Sequence, residues 1–257
     1  MDLGIRGKTA LVAASTGGLG LAVARALASE GARVAITGRR RERAEEIASS
    51  MGGAIAIEAD LSTPDGTATA VERTEAELGP VDIVVLNGPG PRPGAAATLG
   101  SDDLAAAFDI LLRPHHALVS TVLPGMRERR WGRILAIGSS GVAAPLPNLA
   151  MSNTGRAALA GCLKTLAAEV ALDCVTVNLL LPGRIATDRV AELDAAAAKR
   201  RGVTVTDIEI ESRKTIPARR YSDPDEFGAA AAFLCSAPAS YITGVALRCD
   251  GGLIRSL

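Results

Sequence analysis

Ser139 and Ser152 stand thirteen residues apart, and Arg156 follows four residues later, in the stretch IGSSGVAAPLPNLAMSNTGRAAL. Two hydroxyls and a guanidinium can orient a polar substrate, donate hydrogen bonds and hold a fixed positive charge. They are poorly suited to moving a proton. A serine hydroxyl is too weak an acid, and a guanidinium, with a pKa above about 12, does not release its proton. Asn148 and Asn153 flank Ser152 and could orient a substrate or serve the turn. The chain's two histidines, His115 and His116, are adjacent. Imidazole has the pKa that neutral-pH proton transfer needs. His115 lies four residues after Leu111, so the two share one side of a helix, and His116 points elsewhere.

A second constellation lies near the start of the chain. A13-A14-S15-T16-G17-G18-L19-G20 follows the first apolar run and precedes a helical pattern. A glycine-rich turn between strand and helix lets the backbone approach a pyrophosphate and aims helix N–H groups at it. Ser15, Thr16, Gly18, Leu19 and Gly20 are the contacts expected there. The methyl of Ala14 is tolerable in such a turn if its backbone is not left-handed. The second apolar run ends T37-G38-R39-R40. A fold that takes NAD usually places an acid at this point for the ribose hydroxyls. Here Gly38 holds the place and Arg39 follows, and a guanidinium suits a ribose phosphate. NADP(H) is therefore favoured over NAD(H); the competing reading is that Arg39, Arg40 and Arg41 only solvate a helix start.

These residues need a scaffold, and the chain reads as one. At 257 residues, with 48% hydrophobic residues and 2% aromatic, it suits a single α/β domain whose core is Ala, Val, Leu and Ile. Short apolar runs at 8–14, 33–37, 54–59, 82–86, 133–138, 174–180 and 245–249 alternate with helical patterns at 19–30, 41–51, 65–78, 101–129, 151–172 and 224–236. This rhythm predicts a doubly wound parallel sheet with helices on both faces. Arg113 and Pro114 should bend the helix at 101–129. The segment 184–222 falls outside the rhythm and carries nine cations: Arg184, Arg189, Lys199, Arg200, Arg201, Arg213, Lys214, Arg219 and Arg220. It is expected to be a lid over a substrate site, with a solvated helical excursion as the plainer reading. Its arginines hint at an anionic group, such as a carboxylate or phosphate, on the substrate.

The net charge is zero, with 28 acidic and 28 basic residues, so no global field recruits nucleic acid or an anionic membrane. No apolar stretch has the length of a membrane span. The opening MDLGIRGKTALV lacks a signal-type apolar core. Cys162, Cys174, Cys235 and Cys249 show no metal-ligand spacing, so no metal site is expected. Reduced thiols in the cytoplasm are the simplest account.

The motifs together resemble the short-chain dehydrogenase/reductase family nearly end to end. The glycine-rich turn resembles its T-G-x-x-x-G-x-G, with Ala14 in place of the first glycine. Asp60-Leu61 resembles its adenine contact. Asn87-Gly88 resembles part of its N-N-A-G turn, with Leu86 where the first Asn stands. L123-P124-G125-M126 through W131-G132-R133-I134 reads like its approach to strand five. NLLLPGRIAT, Asn178 to Thr187, resembles its N-x-x-x-P-G-x-x-x-T stretch, which would give Ile185 and Thr187 the nicotinamide carboxamide. S240-Y241-I242-T243-G244 and D250-G251-G252 match its C-terminal end.

The same resemblance implies a catalytic Asn, Ser, Tyr and Lys. Of these only Ser139 is present: Leu111 stands at the Asn position, Ser152 at the Tyr and Arg156 at the Lys. Arg156 can still hydrogen-bond the nicotinamide ribose, and Ser139 is left to steady an oxyanion. Losing one strong acid–base element costs about 10²–10⁴ in rate. The expected function is an NADP(H)-dependent oxidoreductase acting on a small carbonyl or alcohol with a non-standard proton donor. The alternatives are non-redox chemistry on the same fold (isomerase, lyase or cyclase) and a catalytically inactive binding subunit. His115 is a candidate donor, although in the family its helix usually packs against a sister subunit. A homotetramer or homodimer is expected, with helix 101–129 and the small residues of helix 151–172 at its interface.

Overall fold

The computed structural model describes residues 1–256. Seven strands form one parallel sheet: β1 (Thr9–Val12), β2 (Arg33–Gly38), β3 (Ile55–Glu58), β4 (Ile83–Leu86), β5 (Gly132–Ile137), β6 (Val175–Pro182) and β7 (Ala246–Cys249). Their order is β3-β2-β1-β4-β5-β6-β7, and every pair is parallel. The five inner strands, β2, β1, β4, β5 and β6, are apolar and nearly all buried because helices cover both faces, while the edge strands β3 and β7 are more exposed. One face packs Leu11, Val84, Ile134 and Val177 against α3 (Pro64–Leu78), α5 (Arg113–Glu128) and α6 (Ala150–Val170). The other packs Val12, Ile36, Val85 and Leu135 against α1 (Gly18–Ser29), α2 (Arg41–Ser49) and α9 (Pro224–Leu234). The doubly wound architecture expected from the alternating pattern is the one observed.

The order reverses at β1, whose neighbours are β2 and β4. In an open parallel sheet the crevice outside the carboxyl ends of the strands at such a switch point is where ligands bind. The turns after β1 and β4 meet there, and the turn after β5 lies alongside.

Two boundaries differ from the sequence reading. The first strand stops at Val12, because the chain turns at Ala13 and Ala14. The region 101–129 is two helices, α4 (Ser101–Leu111) and α5, broken at Leu112 next to Pro114. Proline sits comfortably in a first helical turn but cannot continue a preceding helix. The segment 184–222 contains α7 (Asp188–Arg201) and α8 (Val205–Thr215). Thr204 caps α8 reciprocally with Asp207, and the Arg201–Glu211 pair, at 2.6 Å, ties the two helices together. Among the described residues, no helix is long and apolar enough to cross a membrane.

Candidate active site

The turn after β1 is shaped by its neighbours. Ser15 is fully buried: its N–H donates to Thr37 O (2.9 Å), its hydroxyl donates to Val12 O (2.7 Å) and accepts from Thr37 N–H (3.0 Å). Ser15 therefore braces β1 to β2, and the expected cofactor contact from its side chain is replaced by a structural one. Ala14 has φ 46°, in the left-handed region, so the condition for tolerating its methyl is not met. An alanine there costs about 1–2 kcal/mol. Thr37 and Asn87 hold it in place. Ala14 N–H donates to Thr37 Oγ1 (3.0 Å), and Asn87 Nδ2 donates to the carbonyls of Ala13 (3.2 Å) and Ala14 (3.1 Å). Asn87 thus spends its amide on the turn.

What remains open is the start of α1. No side chain caps its first turn, so the N–H groups there have no partner of their own. Gly17 and Gly18 face open space, and Gly18 has φ 54°. A Cβ on Gly20 would lie 2.7 Å from both Ala14 O and Asn87 Nδ2, so only glycine lets the helix sit this close. Unspent donors, a helix dipole and a surface cleared of side chains fit a pyrophosphate.

At the end of β2 the structure adds a reason the sequence did not offer. A Cβ on Gly38 would lie 2.5 Å from Thr16 Cγ2. Thr16 fills the space into which an acid at position 38 would project. Arg39 beside it is exposed and forms no ion pair among the described residues. Asp60 lies nearby. Its carboxyl is held below the usual range chiefly by the hydroxyl and N–H of Ser62, with a smaller pull from Arg39. The Asp60 side chain is thus engaged in its own turn, and Leu61 packs partly against the core.

The second constellation gathers at the end of β5. Ser139 is half-buried, and its Oγ accepts from Gly141 N–H (3.1 Å). Asn153 pins the following loop, donating to Leu146 O (2.9 Å) and accepting from Leu146 N–H (3.3 Å). Asn148 takes φ 58°. Asn148 is therefore a turn residue, and Asn153, in the first turn of α6, commits its amide to the preceding loop. Ser152 and Arg156 occupy successive turns of one face of α6. Arg156 Nη1 donates to Ile137 O (2.9 Å) and Gly138 O (3.0 Å), which brings the guanidinium beside Ser139. Burial pushes its pKa down. Leu111 is buried, and a Cβ on Gly155 would lie 2.8 Å from its Cδ1, so α4 and α6 touch where the family resemblance places an Asn.

His115 lies inside the subunit, 5% exposed, rather than on the outer face where an interface residue would sit. It faces inward because α5 begins anew after Leu112. Its Nδ1 bonds to Leu111 O at 2.8 Å, and Nε2 lies 3.6 Å from where a Cβ on Gly88 would stand. Burial lowers its pKa, the Leu111 carbonyl partly opposes that, and the charge of Arg156 lowers it further. A smaller upward pull comes from the Asn87 backbone, so the ring sits between the backbone groups of Leu111 and Asn87.

On the other side, Ile185 is buried and bridged to Ser222, and Thr187 is half-buried at the start of α7. A cleft of about 520 Å³ opens beyond Thr187, lined by Val190, Asp194, Arg213, Arg219 and Tyr221. Sequence reasoning missed the group that closes its base. Asp194, 1% exposed, accepts from Arg184 (2.8 Å) and from the Tyr221 hydroxyl (2.8 Å), joining α7 to the end of β6. An acid ten residues after Arg184 in a charged helix gives no signal of burial. Arg189, Arg201, Arg213 and Arg220 also pair with carboxylates. Five of the segment's nine cations thus have a carboxylate partner.

A family model described as Enoyl-(Acyl carrier protein) reductase matches residues 13–254. The chain is 34% identical to the 3-oxoacyl-(acyl-carrier-protein) reductase of Aquifex aeolicus (strain VF5), over 98% of this chain and 100% of that one. It superimposes on L-sorbose reductase from Gluconobacter frateurii, solved with NADPH and L-sorbose, with a TM-score of 0.94, 30% identity and 100% of both chains covered. Against the 3-ketoacyl-(acyl-carrier-protein) reductase of Brucella melitensis, solved with NADH, the TM-score is 0.84 at 31% identity, covering 97% of this chain and 99% of that one. The chain belongs to the short-chain dehydrogenase/reductase family of NAD(P)-dependent oxidoreductases.

Proposed function

We propose that the protein is an NADP(H)-dependent oxidoreductase that interconverts a small carbonyl compound and its alcohol, without the tyrosine–lysine proton path of its family. The observation that carries the cofactor preference is the pairing of Thr16 with Gly38. It leaves no room for a ribose-binding acid and leaves Arg39 unpaired beside the site. The NADPH of the sorbose reductase structure supports the reading, although a relative of similar identity was solved with NADH.

In this reading the N–H groups of Gly18, Leu19 and Gly20 hold the pyrophosphate and Arg39 holds the ribose phosphate. Thr16 shapes that end of the groove. The backbone of Asp60 and Leu61 borders the adenine, and Gly88, steadied by Asn87, lets the adenosine pass closely. Ile185 and Thr187 take the carboxamide, Arg156 the nicotinamide ribose. The bound cofactor supplies or accepts a hydride. Ser139 donates a hydrogen bond to the oxygen that gains charge, and Ser152 adds at most one more. His115 is the candidate group for the proton that the substrate oxygen exchanges. The segment 184–222 closes over the substrate as a lid.

Cofactor turnover with a panel of small ketones and alcohols tests this reading. Ser139→Ala should lower kcat/KM about 10²-fold, the cost of removing an oxyanion donor. Ser152→Ala should cost only the about 0.5–1.5 kcal/mol of one hydrogen bond. Loss of turnover in Ser152→Ala with Ser139→Ala intact would overturn the assignment of roles.

A further inference from the structure

Asp194 is the one buried carboxylate among the described residues. Both of its oxygens are taken: Arg184 Nη1 donates to Oδ1 and the Tyr221 hydroxyl donates to Oδ2, each at 2.8 Å. The carboxylates that pair with Arg189, Arg201, Arg213 and Arg220 are between 37% and 68% exposed, whereas the Asp194 side chain is 2% exposed. An exposed ion pair adds little to stability. Removing one partner of a buried pair strands the other charge out of water. Of the ion pairs in the 184–222 segment, the one made by Asp194 is therefore the one the structure depends on.

Its two partners stand at the two stems of that segment. Ile185 is bridged to Ser222; Ser222 N–H donates to Arg184 O and Ala186 N–H donates to Ser222 O, each at 2.9 Å. Arg184 and Tyr221 are the residues just before this bridged pair, so a single carboxylate on α7 grips both stems. Apolar packing gives α7 little other anchorage: its buried residues are Asp194 and Ala198, and α8 buries Ile208. The Tyr221 ring extends the grip to α8, with the guanidinium of Arg213 5.4 Å and that of Arg184 6.0 Å from its centroid. Thr187 opens α7 two helical turns before Asp194, and it lines the same cleft as Asp194 and Tyr221. Its hydroxyl makes a long bond, 3.4 Å, to Ile185 O, so its direction follows that of the helix.

We propose that Asp194 is a positioning residue: through Arg184 and Tyr221 it fixes α7 and residues 185–187 in the orientation in which Ile185 and Thr187 take the nicotinamide carboxamide. The inference rests on the cofactor reading for that last clause. Asp194 acts through its two partners rather than by contact with a ligand. The two ends of the cofactor groove then have separate determinants. The phosphate end is built from turns locked into the sheet, such as the bonds of Ser15 and Asn87. The nicotinamide end is borne by an excursion that one buried carboxylate ties down. Loss of that carboxylate should loosen the second end and leave the first as it is.

Isothermal titration of the full chain with two ligands tests this: NADPH, and adenosine 2′,5′-bisphosphate, which keeps the ribose phosphate and lacks the nicotinamide. Asp194→Asn removes the charge that Arg184 pairs with and should weaken NADPH about tenfold, as expected for losing one or two hydrogen bonds to the carboxamide. The bisphosphate should bind variant and wild type alike. Tyr221→Phe removes one bond and spares the ion pair. It should shift NADPH the same way by less, and it decides the case if Asp194→Asn does not fold. Hydrogen exchange of the α7 amides should quicken in both variants while β1 and β4 exchange as in wild type. Unchanged NADPH affinity in the variants, an equal loss for both ligands, or α7 exchange identical to wild type would overturn the proposal. Wild type binding neither ligand would instead contradict the cofactor reading, and the exchange comparison on the free chain would still decide whether Asp194 holds α7.

Discussion

Asn87 donates through Nδ2 to the carbonyl of Ala14, 3.1 Å away, and so ties the turn after β4 to the turn after β1. The same amide reaches Ala13 O. The two turns that flank the switch point are thereby held as one unit. Asn87→Ala removes both bonds, each worth about 0.5–1.5 kcal/mol. The variant should unfold at lower urea concentration and bind NADPH more weakly. Unchanged affinity with reduced stability would show that the turn keeps its shape without Asn87.

Ala14 pays for its position with a left-handed backbone, φ 46°. Glycine adopts that conformation freely. Ala14→Gly should therefore stabilise the protein by about 1 kcal/mol, raising Tm by about 2–4 °C in a chain of this size. A lower Tm, measured by circular dichroism, would mean that the methyl makes compensating contacts.

The fold was legible because burial writes itself locally. Runs such as LVAA, RVAIT and DIVVL are apolar on both faces, and only a sheet covered on both sides wants them. The phosphate turn was legible for the same reason: glycines at fixed offsets between strand and helix. Side-chain partners distant in sequence were not. Nothing in the sequence tells that Asn87 bonds a turn 73 residues away, that Thr16 fills the space over Gly38, or that Ser15 turns inward to Thr37. Pro114 announced a bend in helix 101–129, but that the chain would break there and turn His115 into the core depends on the phase of α5. Arg156 showed its charge in the sequence. That its head would cap β5 and find no acid depended on the packing of α6.

His115 gives the protein a pH signature. Burial holds its folded pKa below the ordinary 6.5, so the unfolded chain binds the proton more readily. The native state is fully favoured above about pH 6.5 and loses that advantage as pH falls through the window down to the folded pKa. His115→Gln should flatten the part of the stability profile between pH 7.5 and 5.5 that this group causes. Urea titrations at several pH values measure it; parallel profiles for wild type and variant would contradict the assignment.

The outer face of α6 carries Ala157, Gly161 and Ala168, all exposed, and a Cβ on Gly161 would meet nothing within 4 Å. Such a smooth face permits close helix approach, and the exposed His116, Ser120 and Thr121 on α5 lie on a neighbouring helix. We expect a symmetric dimer or tetramer built on these helices. Light scattering should report a mass of at least twice 26.2 kDa at micromolar concentration. Gly161→Trp should lower it. A wild-type monomer would contradict the expectation.

The most direct test of the account is a cofactor titration that compares NADPH with NADH on wild type and Arg39→Ala. If Arg39 reads the ribose phosphate and Thr16 excludes an acid from position 38, wild type binds NADPH more tightly. A lost charge-assisted bond of about 1.5–3 kcal/mol then weakens NADPH about 10–150-fold in Arg39→Ala and leaves NADH nearly unchanged. Equal loss for both cofactors, or no binding of either by wild type, would contradict it.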